Sequence, residues 1–327
     1  MSNQPGSTTA APVDPPVDPT TGRTGYAPGT AVLAVLAAGW LTAMLWSTRE
    51  VIHSAAVGLT AITLSAFALP GVISAALVAG AAVALAASEL TARRLGDRAA
   101  LRFAAALGAG MLLGLGTALA INLTYADNAT TNTIAGTSAA AAIIGAALAG
   151  ARTPGPVGAV VTATLGALLF VVAFSQARDP LFDLFGADDS QASLVSAAKW
   201  VSRTESLLAG LLAGLLAFGY LTWTRRRAVR HAPDAPAPRW PAYLVAGAGP
   251  GLLLLLTEVI IRVGGRTLLD LAGALSEADA VAQTSMGTSR IDNGIWVLFV
   301  GALTTVILFG RTLGPARHDD EPGSDEA

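Results

Sequence analysis

From Ala31 to Gly310 the chain is written in apolar blocks separated by short polar stretches. The blocks are 31–47, 51–69, 71–90, 103–122, 134–151, 157–176, 206–224, 242–262 and 294–310. Roughly 20 apolar residues in a helix cross ~30 Å of hydrocarbon. None of the blocks alternates with period two, and Ala, Leu and Gly dominate them, so they read as helices and not as strands. In hydrocarbon every backbone polar group needs an internal partner, which a helix supplies. The pattern predicts an all-α, polytopic transmembrane helix bundle of about nine spans, counted as blocks of spanning length. Eight are expected if one N-terminal segment is re-entrant, because only Thr48-Arg49-Glu50 and Pro70-Gly71 divide the first three blocks.

Two polar interludes resemble each other. LFDLFGA at 181–187 returns as LLDLAGA at 268–274, displaced by 87 residues (268 minus 181). Arg152-Thr153-Pro154 and Arg239-Trp240-Pro241 share that displacement, as do Ser202-Arg203-Thr204-Glu205 and Ser289-Arg290-Ile291-Asp292. The expected unit is a helical hairpin, 152–224 and again 239–311, crossing in the same sense each time. Each copy carries an outer amphipathic segment. Leu181, Leu184 and Phe185 fall at i, i+3 and i+4, and Leu268 and Leu271 repeat the spacing, which gives one apolar face. That face can lie on the membrane, cap the bundle or dock a partner. Ser202 and Ser289 are expected to cap the returning helices, with Glu205 and Asp292 near their positive ends.

Composition supports lipid as the main solvent. Hydrophobic residues make up 53% of the chain and charged residues 13%, against about 25% charged in soluble domains; mean hydropathy is +0.58. The net charge of −2 names no partner. Its distribution is more useful. Arg49, Arg93, Arg94, Arg98, Arg102, Arg152, Arg225, Arg226, Arg227, Arg230, Arg239, Arg311 and Arg317 fall in alternate connections. This bias places the C-terminus in the cytoplasm and the N-terminus outside a cell (plasma) membrane. Trp46, Trp223, Trp240 and Trp296 stand at expected helix ends, where the ring prefers the headgroup zone. Residues 1–30 are rich in Pro and Thr and read as a disordered tail, and 312–327 as an acidic one. Arginine in place of lysine, with abundant alanine, suggests a GC-rich bacterial genome.

Ionisable groups inside the membrane are costly and invite a functional reading. Glu258 and Arg262 are i and i+4 on one expected helix. Upstream, Gly249-Pro250-Gly251 is expected to kink that helix or break its ladder, as at transporter sites. Glu50 and His53 form a second candidate cluster, able to relay a proton if they share a face. For both clusters a snorkelling or interfacial polar turn is the plainer account. The three Gly-x-x-x-Gly runs, at 110–114, 210–214 and 247–251, suit close helix approach within the bundle.

There is no cysteine, no phosphate-binding loop, no paired-histidine zinc motif and no serine elbow. The sequence therefore implies no cofactor, metal or catalytic site, and no nucleic-acid partner. Beyond the lipid bilayer, a protein partner or a homo-oligomer is the expected association. A permease-like small-solute transport protein is the favoured function. The alternative is a non-catalytic membrane subunit that docks a partner through its outer segments.

Overall fold

The expected helices form, with one change in their number. The computed structural model describes residues 29–54, 58–96, 98–124, 129–186, 188, 190–231 and 238–313. They build α1 (Thr30–Ser54), α2 (Gly58–Leu95), α3 (Ala99–Thr124), α4 (Ala129–Gly150), α5 (Pro154–Ser175), α6 (Arg178–Leu184), α7 (Gln191–His231), α8 (Trp240–Gly264), α9 (Arg266–Leu275) and α10 (Glu277–Thr312). All but α6 and α9 are long and apolar enough to cross a membrane, which makes eight spans among the described residues. The architecture is an all-α transmembrane bundle.

The expected second and third spans, 51–69 and 71–90, are one helix from Gly58 onward, and residues 51–54 end α1. α2 runs for 38 residues with Pro70 inside it, about 57 Å of helix at 1.5 Å per residue. Proline removes one ladder hydrogen bond, and in a packed bundle that loss leaves the helix continuous. Thr48, Arg49 and Glu50 are helical residues of α1, not a turn. Eight crossings put the two ends of the described chain at the same end of the bundle. That end holds Arg93, Arg94, Arg98, Arg102, Arg152, Arg225, Arg226, Arg227, Arg230, Arg239 and Arg311. Arg49 moves to the opposite end, with α6 and α9. Segments 1–28 and 314–327, where the disordered and acidic tails are expected, lie outside the described residues. The tryptophans Trp46, Trp223, Trp240 and Trp296 are all exposed, and Arg227 lies 4.8 Å over the Trp223 ring.

Packing divides the spans into α1–α4 and the group α5, α7, α8, α10, with α2 touching both. Small residues set the close crossings. A Cβ at Gly110 would strike Ala146, and one at Gly114 the Ala139 backbone, where α3 meets α4. Gly210 and Gly214 face Val297 and Gly301 across α7 and α10, and Gly247 and Gly251 face Gly301 and Leu298 across α8 and α10. All three Gly-x-x-x-Gly runs thus serve contacts inside the chain. Thr305 strengthens one of them by donating to the Gly214 carbonyl at 3.1 Å.

The hairpins α5-α6-α7 and α8-α9-α10 have the same order of elements. The second set begins 86 (240 minus 154), 88 (266 minus 178) and 86 (277 minus 191) residues after the first. α7 and α10 run side by side in the same direction, and Ser206 donates to Asn293 Oδ1, 87 residues on, at 2.8 Å. Both helices start far earlier than the Ser-Arg-x-acid motif suggested. Ser202 and Ser289 lie about three turns into α7 and α10, so neither caps a helix. The caps are Ser190, whose hydroxyl accepts from the Ser193 amide at 3.2 Å, and Ser276, whose hydroxyl accepts from the Asp279 amide at 3.2 Å. Beside Ser190, Asp188 accepts from the Ser193 hydroxyl and from the Ser190 amide. These bonds hold its carboxyl below the usual carboxylate value.

Candidate functional site

The Glu258 carboxylate is buried between two guanidinium groups. Its side chain is 6% exposed, Arg262 Nε lies 3.0 Å from one oxygen and Arg290 Nε 2.9 Å from the other. Arg262 is one turn along α8 and 57% exposed, so it reaches the end of the bundle. Arg290 comes from α10 and is 29% exposed. The i,i+4 pair is the one expected from α8 alone. The third member joins α8 to α10, and Gly287, one turn before Arg290, leaves room for the carboxylate: a Cβ there would sit 3.2 Å from Glu258 Oε1. A buried carboxylate with one charge-assisted donor on each oxygen has its desolvation largely offset.

The Glu258–Arg290 pair forms part of the wall of a cavity of about 240 Å³. Five helices enclose it: α2 with Pro70 and Ser74, α5 with Thr164 and Leu168, α7 with Glu205 and Ser206, α8 with Pro250 and Thr257, and α10 with Asn293 and Val297. It runs from the middle of α8, at Pro250, toward the arginine-poor end. Both helix-interior prolines of the described spans line it. Neither breaks its helix. Each lacks the N–H that would serve the carbonyl one turn earlier, on Ala66 and Ala246. Gly249 and Gly251, expected to loosen α8, instead let it approach Val160 of α5 and Leu298 of α10.

Most polar groups of the wall are already engaged. Thr164, Thr257 and Ser74 donate to carbonyls of their own helices at 2.7, 2.9 and 3.0 Å. Asn293 Oδ1 accepts from Ser202 and Ser206. Glu205 differs. It is half-buried, the field of Arg178 on α6 reaches it, and among the described residues no cation lies within ion-pair distance of it. The two copies of the Ser-Arg-x-acid motif contribute differently: α7 supplies the acid, Glu205, and α10 the base, Arg290. Their counterparts are elsewhere. Arg203 lies 5.6 Å over the Trp200 ring, and Asp292 is exposed.

Three of the sequence-predicted residues, Glu258, Arg262 and Pro250, therefore meet at this site. Glu50 does not: it is exposed near the end of α1, and the His53 side chain lies outside the described residues. Glu205 and Arg290 were missed as site residues because they were assigned to helix starts. The outer segments also diverge. Leu268 of α9 is 1% exposed, built into the core, so it offers no docking surface; Leu271, one turn on, is exposed. On α6, Leu184 is exposed, Leu181 half-buried, and Phe185, which ends the helix, stacks on Trp200 at 6.5 Å. Among the described residues no three His, Cys, Asp or Glu side chains gather as metal ligands. No family model, curated protein or solved structure matches the chain.

Proposed function

We propose that this membrane protein is permease-like and moves a small solute through the α2/α5/α7/α8/α10 cavity. One observation carries this reading. The cavity sits within the membrane-spanning part of the bundle, beside two helix-interior prolines, and presents a carboxylate that has no ion-pair partner among the described residues. Such a group in low dielectric is costly and persists where it has a task. On this reading the hairpins are a duplicated unit of parallel sense, and the cavity lies along their seam, where transporter sites are commonly built. With the arginine-rich end in the cytoplasm of a bacterial cell membrane, the cavity faces outward, and the Glu258–Arg290 pair borders its mouth.

The chain lacks cysteine, which makes the test direct. Ser74→Cys and Thr164→Cys, in reconstituted vesicles of known orientation, are expected to react with a small membrane-impermeant thiol reagent from either face. Reaction from the arginine-poor face alone means a closed pocket and not a path, and removes the proposal.

A second reading rests on α6. Leu184 is 74% exposed and Leu194, Val195 and Trp200 on the adjoining start of α7 are also exposed. As a docking patch for another membrane subunit or a second copy, it should lose its crosslinked product in Leu184→Ser. An unchanged crosslinking pattern would assign these residues to the headgroup layer instead.

A further inference from the structure

We infer that the cavity takes a small organic cation with an apolar body. The inference rests on the cavity being the solute site, and it adds the class of solute. Charge comes first. Glu205 and Glu258 are the carboxyl groups that line the cavity, and Arg290 is its guanidinium. Glu258 is already satisfied on both oxygens, by Arg262 and Arg290. Glu205 is the carboxyl group of the wall that forms no ion pair with a cation among the described residues. A cation entering the cavity neutralises it where the attraction is little screened. A neutral solute leaves a desolvated carboxylate unpaired, and an anion adds repulsion to that penalty.

The rest of the wall decides what kind of cation. Leu168, Val171, Leu254, Ile261 and Val297 present hydrocarbon. The hydroxyls of Ser74, Thr164 and Thr257 are committed as donors to their own helices. A bare alkali ion would surrender its water shell for few oxygens. An alkylammonium instead buries its carbon shell against these side chains and keeps only a diffuse charge to be matched. About 240 Å³ holds about eight water-sized groups at ~30 Å³ each, which suits an ammonium bearing short alkyl arms.

The probe is tetraethylammonium, compared with sodium, with 2,2-diethylbutanoate and with 2,2-diethylbutan-1-ol, an anion and a neutral molecule of related shape. Calorimetry on the purified full chain should show saturable binding of the ammonium alone. Glu205→Gln should weaken it at least tenfold, and Glu205→Asp, which keeps the charge, should retain most of it; thermal unfolding without ligand shows that each variant is folded. Equal binding of the alcohol, the carboxylate or sodium overturns the inference. So does tetraethylammonium binding that Glu205→Gln leaves unchanged, or the absence of binding to the parent chain. Flux into vesicles separates the two proposals. If the ammonium binds but is not moved, the cation site stands and transport falls. If the alcohol or the carboxylate is moved and the ammonium is neither bound nor moved, transport stands and the cation site falls.

Discussion

Arg290→Met is expected to destabilise the bundle by about 2–4 kcal/mol, a cost typical of breaking one arm of a buried ion pair. Glu258 would keep only Arg262, which is more than half exposed and therefore more strongly screened. Its inner oxygen would face methionine, with no donor in place of Arg290 Nε. The figure stays below the full cost of an orphaned buried charge because Arg290 is itself 29% exposed and Arg262 remains. Glu258→Leu should cost less, since Arg262 can turn outward along its flexible stem. The informative variant is the pair, Glu258→Leu with Arg290→Met. Replacing both charges with hydrocarbon of similar bulk removes the desolvation penalty along with the attraction, so the double variant should recover most of the loss. Thermal unfolding in detergent gives the three values, and their departure from additivity measures the coupling. Strict additivity would mean that the two groups do not pair in the folded protein.

Fold class was readable because it depends on block length and composition, which hydrocarbon constrains strongly. Segmentation at the N-terminus was not. Thr48, Arg49 and Glu50 look like a turn, yet polar residues at a helix end can stay helical and extend into the headgroup layer. Pro70 looks like a break, yet the packed helix continues through it. One misplaced boundary was enough to place Arg49 at the wrong end of the bundle, and to set the start of the first span and the close of the last at opposite ends. The Ser-Arg-x-acid motif failed for a related reason. Residues 191–201 and 277–288 are too polar to count as spans, so they read as outer segments, with the motif at the helix starts. The signals that mark the true helix starts were present: Ser276 with Glu277 and Asp279 in the first turn, and Ser190 with Asp188 just before it. Local spacing found Glu258 with Arg262. It could not find Arg290 or Glu205, whose place at the cavity depends on α7 and α10 lying parallel with Ser206 against Asn293. In α9, Leu268 kept the amphipathic spacing shared with α6, but spacing alone does not say whether such a face meets the chain's own core or something outside it.

The crossing that brings α10 to this site makes Gly301→Val the most damaging small change expected elsewhere in the chain. Gly301 lies where α10 passes α8 and α7 together. A Cβ there would run into the Gly247 carbonyl and lie 3.4 Å from that of Gly210. These neighbours are backbone, so no side-chain rotation relieves the clash. Thr305, one turn on, bonds both the Gly301 carbonyl at 2.8 Å and the Gly214 carbonyl at 3.1 Å, so parting α7 from α10 also removes a buried hydrogen bond. Overpacking typically costs about 1–3 kcal/mol. With two helices displaced at once, the valine variant belongs at or above the top of that range. Gly301→Ala should show a smaller loss of the same kind, because one carbon already meets the carbonyl. Gly219→Val is the control: it lies on α7 with nothing within 4 Å of an added Cβ, and since valine is no worse a helix former than glycine its stability should stay within about 1 kcal/mol of the parent. Recovery of monodisperse protein after extraction, together with the unfolding midpoint, should place the parent and Gly219→Val together, followed by Gly301→Ala and then Gly301→Val. If Gly301→Val behaves like Gly219→Val, α10 does not pass between these backbones, and Arg290 and Asn293, carried on the same rod, lose their place at the cavity.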